Sequence, residues 1–183
     1  RVGERNIPLA VAQGLTATAK HLKNVQTRLI PRYIDRPTKF TQRAFAIRMA
    51  RAGDFRRGEI SSRVFAKRIQ EDYLRFAVYG GSRRARARAI VVPGPDARLN
   101  KFGNFPRGYI KRELSKPETF SGKIGDVSGI WKRTKRGRNK LIAIYTPTAD
   151  YEKRYPYHEI SSRTVPRELR KQLNRGIKRA ARK

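Results

Sequence analysis

The side chains of this chain that could do chemistry are mostly cationic. Arg83, Arg84, Arg86 and Arg88 crowd into six positions of the stretch GGSRRARARAIVV (80–92). In an extended chain alternate side chains share a face, so Arg84, Arg86 and Arg88 would point one way, about 7 Å apart. Such a row suits a phosphate backbone or an acidic protein surface, because guanidinium groups pair well with both. On a solvated edge the same row would only discourage edge-to-edge strand pairing. A second concentration lies in KRTKRGRNK (132–140), with six basic residues and no acid. Lys132, Arg133, Lys135, Arg136 and Arg138 are its candidate contact residues. A basic tip on a two-stranded ribbon can enter a nucleic-acid groove or touch phosphates. Trp131, at its base, reads as a core anchor rather than a base-stacking platform.

Other chemistries find little support. The chain has no cysteine, which excludes disulfides and thiolate metal sites. His21 and His158 have no metal-ligand spacing. The fourteen acids are scattered, and Glu71-Asp72 is the only adjacent pair. The loop GPDARLNKFGNFPRG (94–108) is rich in glycine, yet Gly94, Gly103 and Gly108 fit neither GxxxxGK[ST] nor GxGxxG. Its Asn100, Gly103 and Asn104 suit turns that need positive φ. The expectation is a protein without a catalytic centre, metal or cofactor.

The charge balance frames these clusters. Lys and Arg number 45 against 14 acids, a net charge of +31 over 183 residues. Charge on this scale repels itself and weakens the compact state unless a polyanion or an acidic partner supplies counter-charge. Leu, Ile, Val and Phe total 41, enough for a folded chain with a modest core. The length suits a single domain, 1–183, with basic extensions. No apolar run approaches the roughly 18 residues of a membrane span, and no signal-peptide pattern is visible. A membrane partner is not expected.

The elements that must position these residues can be read from periodicity. Residues 8–30 predict a helix, with Leu15, Leu22 and Leu29 every seven positions and Val11, Thr18 and Val25 between them. Pro8 suits its first turn and Pro31 its stop. Residues 35–40 read as a loop. Residues 45–49 alternate as a strand, 51–59 form a polar connection, and 63–69 alternate less cleanly. Residues 70–79 predict a short helix closed by Gly80-Gly81. A short strand at 89–92, a short helix at 107–115 and a loop at 116–128 follow. Residues 130–135 and 140–146 form the clearest hairpin, turning through RGRN. A basic helix from Val165 to Lys183 carries Leu169, Leu173 and Ile177 on one docking face. The YPYHE segment before it reads as a packed aromatic turn. The fold class is α+β: N- and C-terminal helices bracket a small, mostly antiparallel sheet with a basic hairpin and long loops.

Several stretches share an unusual combination of motifs. They are DRPTKFTQRAF (35–45), EDYLRFAVYGGSRR (71–84), VPGPDARLNKFGNFPRG (92–108), YIKRELS (109–115) and RYPYHEISSRTVPRELRKQLNRGI (154–177). In this order and spacing they resemble the minor tail proteins of tailed bacteriophages and prophages, of the lambda-type protein Z or tail completion family. The resemblance covers roughly residues 8–180. It implies a non-enzymatic virion component at the head-proximal end of a tail, which completes the tail for joining to a filled head. The implied partners are neck and tail proteins of terminator, connector or tape-measure type, with packaged DNA as a further neighbour. A ring oligomer in the virion is implied, with the host cytoplasm as the place of assembly. The motifs are structural, so the resemblance transfers no functional residue.

Two rival readings remain open at this level. A ribosomal or other nucleic-acid-binding protein would have nearly the same composition, although no RNP or KH motif is present. A nuclease would need clustered acids or a His-centred site, and the sequence displays neither.

Overall fold

The computed structural model describes residues 2–181. Arg1 and the last two residues of the predicted C-terminal helix lie outside that range. Contacts group the chain into two compact units, residues 1–78 with 153–183, and residues 79–152. The sequence reads as one domain because no linker composition marks either boundary. The α+β class holds, with helices at both ends and every strand pairing antiparallel.

The first unit is built on two long helices, α1 (Val2–Tyr33) and α5 (Tyr157–Ala181). They pack on each other more extensively than any other pair of elements. Ala10, Gly14, Thr18, Leu22, Gln26 and Ile30 are all buried, four residues apart on α1. This is an i±4 ridge, and it differs from the leucine heptad that the sequence suggests. Leu15 and Leu29 are only half-buried. Small residues let the helices approach closely: a Cβ on Gly14 would lie 2.9 Å from Leu173 Cδ2, and one on Gly176 3.1 Å from the Ala10 carbonyl oxygen. Leu169 and Leu173 are half-buried, whereas Ile177 is 52% exposed. The predicted docking face therefore holds at its first two positions, and Gly176 takes the place of Ile177 against α1.

Pro8 and Pro31, read from the sequence as the first turn and the stop of the helix, are both interior, since α1 already begins at Val2. The helix α1 continues two residues past Pro31, where the fully buried Ile30 anchors its last turn. The helix α5 begins eight residues before Val165 and runs through Pro166. Of the segment YPYHE, read as an aromatic turn, only Tyr155 and Pro156 precede it, and Tyr157, His158 and Glu159 form its first turn. Tyr155 is fully buried with Ile30, Ala44, Phe45 and Leu74 in the core of this unit. Its ring stacks on Tyr33 at 5.6 Å, and its hydroxyl donates to Gln26 Oε1 at 2.6 Å. Gln26 Nε2 donates in turn to the Tyr157 carbonyl and to Ser161 Oγ, both at 3.0 Å. A buried polar hub thus ties α1 to the start of α5.

Smaller elements complete the first unit. A one-turn helix α2 (Lys39–Gln42) is capped by Thr38, whose hydroxyl accepts from the Thr41 N–H. The strand β1 (Phe45–Arg48) pairs with β2 (Arg63–Ala66), and a short 3₁₀ helix (Ala52–Arg57) forms the connection between them. The helix α3 (Arg68–Tyr79) then buries Gln70, Leu74 and Phe76.

The second unit holds two sheets. One pairs β3 (Gly81–Arg84) with β8 (Thr148–Tyr151). The other has four strands in the order β4-β7-β6-β5, with β4 (Ile90–Pro93), β5 (Thr119–Ile124), β6 (Val127–Arg133) and β7 (Asn139–Thr146). The segment 116–128, loop-like in composition, contains β5 and the start of β6. Its two glycines give it loop composition, but Gly122 lies inside β5. Gly125, at φ 56°, makes a two-residue turn between Ile124 and Val127, and Gly129 is required inside the sheet. A Cβ at Gly129 would lie 2.1 Å from the Ala143 carbonyl oxygen. The helix α4 (Tyr109–Leu114) packs on this sheet through a core of Tyr109, Ile130, Ile142 and Ala143.

Candidate functional site

The loop 94–108 is a structural bend with a positioning role. Asn100 Oδ1 accepts from the N–H groups of Phe102 at 2.9 Å and Asn104 at 3.1 Å, which closes a local turn. Asp96 Oδ2 accepts from the Leu141 N–H at 2.9 Å and ties the loop to β7. Phe105 stacks on Tyr109 at 5.7 Å, and the Arg98 N–H donates to the Tyr109 hydroxyl at 3.2 Å. Gly108, in the left-handed region at φ 71°, leads directly into α4. These contacts fix the first wall of an open cleft, with Arg98 on the loop and Arg112 and Lys116 on and just after α4.

The second wall is the β6–β7 hairpin. Its turn spans Thr134 to Arg138 rather than RGRN. The Thr134 hydroxyl donates to the Arg138 carbonyl at 2.7 Å, and Gly137 takes φ 77°. Lys132, Arg133, Lys135 and Lys140 line the cleft from this side. The cleft lies wholly in the second unit and encloses about 1010 Å³.

Seven cationic side chains line it against three acids, and each acid is committed within the protein. Asp96 holds the Leu141 N–H. Glu113, on α4, accepts from Lys116 Nζ at 2.7 Å and lies 3.9 Å from Lys132 Nζ. Glu118 lies 3.5 Å from Lys132 Nζ. The hydrogen bond to Glu113 raises the Lys116 ammonium above its ordinary value. The Glu118 carboxyl is held below its ordinary value by its own backbone N–H and then by Lys132. The opposite charges of these pairs offset one another within the protein. Positive charge beyond the pairs comes from Arg98, Arg112, Arg133, Lys135 and Lys140, all exposed. The Arg112 guanidinium is steadied by donating to the Arg107 carbonyl at 2.9 Å, and that of Arg133 lies over the Phe120 ring at 4.8 Å.

The sequence-predicted contact residues divide among three settings. Lys132, Arg133 and Lys135 line the cleft, with Lys132 engaged by two carboxylates. Arg136 and Arg138 are exposed in the turn just beyond it. Arg83 and Arg84 lie exposed on β3, opposite Ala149 and Thr148. The extended row expected at 84–88 does not form, because the strand ends at Arg84 and residues 86–88 bend. Strand pairing stops there since β8 begins at Thr148, opposite Arg84, leaving only the Ala85 N–H to reach the Pro147 carbonyl at 2.9 Å. None of Arg83, Arg84, Arg86 or Arg88 lines the cleft. Arg98, Arg112, Lys116 and Lys140 are cleft residues that sequence reasoning missed. They come from a loop, the end of α4 and β7, and the loop's tie to β7 and the packing of α4 on the sheet bring them together.

Trp131 is half-buried opposite Phe120 and Leu141 and does not line the cleft. Among the described residues, no group of three or more His, Cys, Asp or Glu could hold a metal ion. Among the same residues, no helix is long and apolar enough to cross a membrane.

Fold and site together define an α+β protein with a cationic cleft. No protein-family model, curated protein or solved structure matches the chain.

Proposed function

We propose that this chain is a non-enzymatic structural protein of a tailed-phage virion, acting at the head-proximal end of the tail. There it completes the tail and supports head–tail joining beside a polyanionic neighbour. The phage assignment rests on the motif resemblance across roughly residues 8–180. The observation that carries the polyanion contact is the cleft of the second unit. It gathers cations from a loop, a helix and a hairpin onto one open surface, and its three acids are already occupied. Acids held in this way anchor the fold. The partners are neck and tail proteins of terminator, connector or tape-measure type, with packaged DNA as a neighbour.

Complementation tests this reading. Particles made without the chain accumulate as separate filled heads and tails, and adding the purified protein restores infectious particles. Normal joining in its absence overturns the assignment. Co-sedimentation with ribosomal subunits instead of tails would move the chain to the ribosomal or other nucleic-acid-binding class, for which the same cleft is suited.

A further inference from the structure

We infer that the cleft of the second unit grips the sugar–phosphate backbone of duplex nucleic acid through Arg98, Arg112, Arg133, Lys135 and Lys140, without reading bases. The inference rests on the proposed polyanion contact and names its ligand.

Three observations select a duplex backbone over other anions. The first is the distribution of charge. The five cations come from separate walls of an open cleft of about 1010 Å³, and Arg136 and Arg138 continue the charge onto the hairpin turn. A single phosphate would need donors converging on one point. A track of separated donors suits a repeating polyanion. The second is the absence of a stacking surface among the cleft's described residues. Tyr109 is only 8% exposed, with Phe105 stacked on its ring. Phe120, beside the cleft, is covered by the Arg133 guanidinium. Single-strand binders depend on exposed rings on which successive bases stack, and this cleft offers none. The third is the donor chemistry. Three of the five are arginines, and the Arg112 and Arg133 side chains are already steadied by the Arg107 carbonyl and the Phe120 ring. Held planar forks bind phosphate oxygens in pairs with little further ordering cost. With the three acids committed internally, a phosphate strand would meet little repulsion.

The test uses the full chain and short mixed-sequence duplex DNA, measured by fluorescence anisotropy across a salt series. Each phosphate contact adds about 0.9 to the slope of log affinity against log salt on a duplex and about 0.7 on a single strand. Changing Arg98, Arg112, Arg133, Lys135 and Lys140 to Gln should therefore flatten the duplex slope by about 4.5. Among the described residues, Arg98, Lys135 and Lys140 are exposed and make no side-chain hydrogen bond or ion pair, so the triple variant guards against misfolding and should flatten it by about 2.7. A control changes five exposed cations of α5, Arg163, Arg167, Arg170, Lys178 and Arg179, to Gln and should leave most of the slope intact.

Equal flattening by the cleft and control variants overturns the inference, because the charge then acts diffusely. Tighter binding of oligo-dT than of duplex at equal phosphate overturns the duplex assignment. If cleft variants lose affinity for poly-glutamate as much as for duplex, the ligand is an acidic protein surface and the inference fails. In vitro head–tail joining by the same variants separates this inference from the reading beneath it. Joining that requires the parent chain, yet proceeds with cleft variants that have lost duplex binding, leaves the phage role intact and overturns a duplex contact in assembly. Loss of both joining and duplex binding supports the inference.

Discussion

Removing one oxygen tests whether the buried hub of the first unit holds α1 to the start of α5. In Tyr155→Phe the ring keeps its stack on Tyr33 at 5.6 Å and its tilted contact with Phe45 at 6.3 Å, so packing is conserved. What disappears is the donor at 2.6 Å from Gln26 Oε1, inside a core where Tyr155 and Gln26 are both fully buried. Gln26 keeps its two donor bonds to the Tyr157 carbonyl and Ser161 Oγ, so its side-chain oxygen is left facing the core without a donor. An acceptor orphaned in this way costs about 1–3 kcal/mol. For a chain of this length that lowers the melting temperature by about 2–4 °C per kcal/mol, or about 2–12 °C in all. Calorimetry of parent and variant reads the shift. Gln26→Leu in the Tyr155→Phe background should recover part of it, because two apolar groups leave no orphan. A Tyr155→Phe variant as stable as the parent, or one showing no coupling to Gln26, refutes the reasoning. The pH dependence gives a second arm. Burial, and then the neighbouring Tyr157 and Tyr33, push the Tyr155 phenol far above its ordinary value of 10.0. Above about pH 10 the unfolded chain releases this proton first, so stability present below that pH is lost as pH rises. The parent should lose stability above pH 10 more steeply than Tyr155→Phe.

Three further outcomes follow from the same packing. Glu168 is buried on α5 and accepts from Gln172 Nε2 at 2.6 Å, a bond that, with His21, Lys171 and Arg175 nearby, holds its carboxyl below the ordinary 4.5. Stability from that shift is present above 4.5 and lost as pH falls through the lower folded value, so Glu168→Gln should show a shallower acid melt than the parent. Gly129→Ala forces a Cβ to 2.1 Å from the Ala143 oxygen and should destabilise the four-stranded sheet by about 1–3 kcal/mol, measured by urea titration. Gly122→Ala, whose Cβ meets Phe120 at 3.5 Å, should be near neutral in the same titration. Leu173→Asp places a carboxylate against Gly14 and should cost about 1–3 kcal/mol, seen as faster proteolysis between α1 and α5; unchanged protease resistance would contradict the docking of α5.

Periodicity made the long helices and the basic hairpin legible because their signals are local. The segment 116–128 was not, since Gly122 and Gly125 read as punctuation, while Gly122 lies inside β5 and Gly125 makes the tight turn into β6. Pro8 and Pro31 read as the two ends of one helix, yet α1 runs past both, with the buried Ala10 and Ile30 packed beside them. Gln26 carries no apolar signal, and its burial depends on Tyr155, 129 residues away. The hairpin half of the cleft was visible as an acid-free run. The other half was not, because Arg98 takes its place when Asp96 fastens the loop to β7, and Arg112 when α4 packs on the sheet. The arginine row at 83–88 illustrates the reverse error: alternation in sequence implies one face only while the strand lasts, and β3 ends at Arg84.

The most direct test of the proposed role is the position of the chain in the intact particle. Purified virions carrying a tag on this chain would be imaged with a tag-specific label. The account predicts label confined to the junction of head and tail, and its loss from tails that fail to join. Label spread along the tail, or its absence from particles that assemble normally, would contradict it.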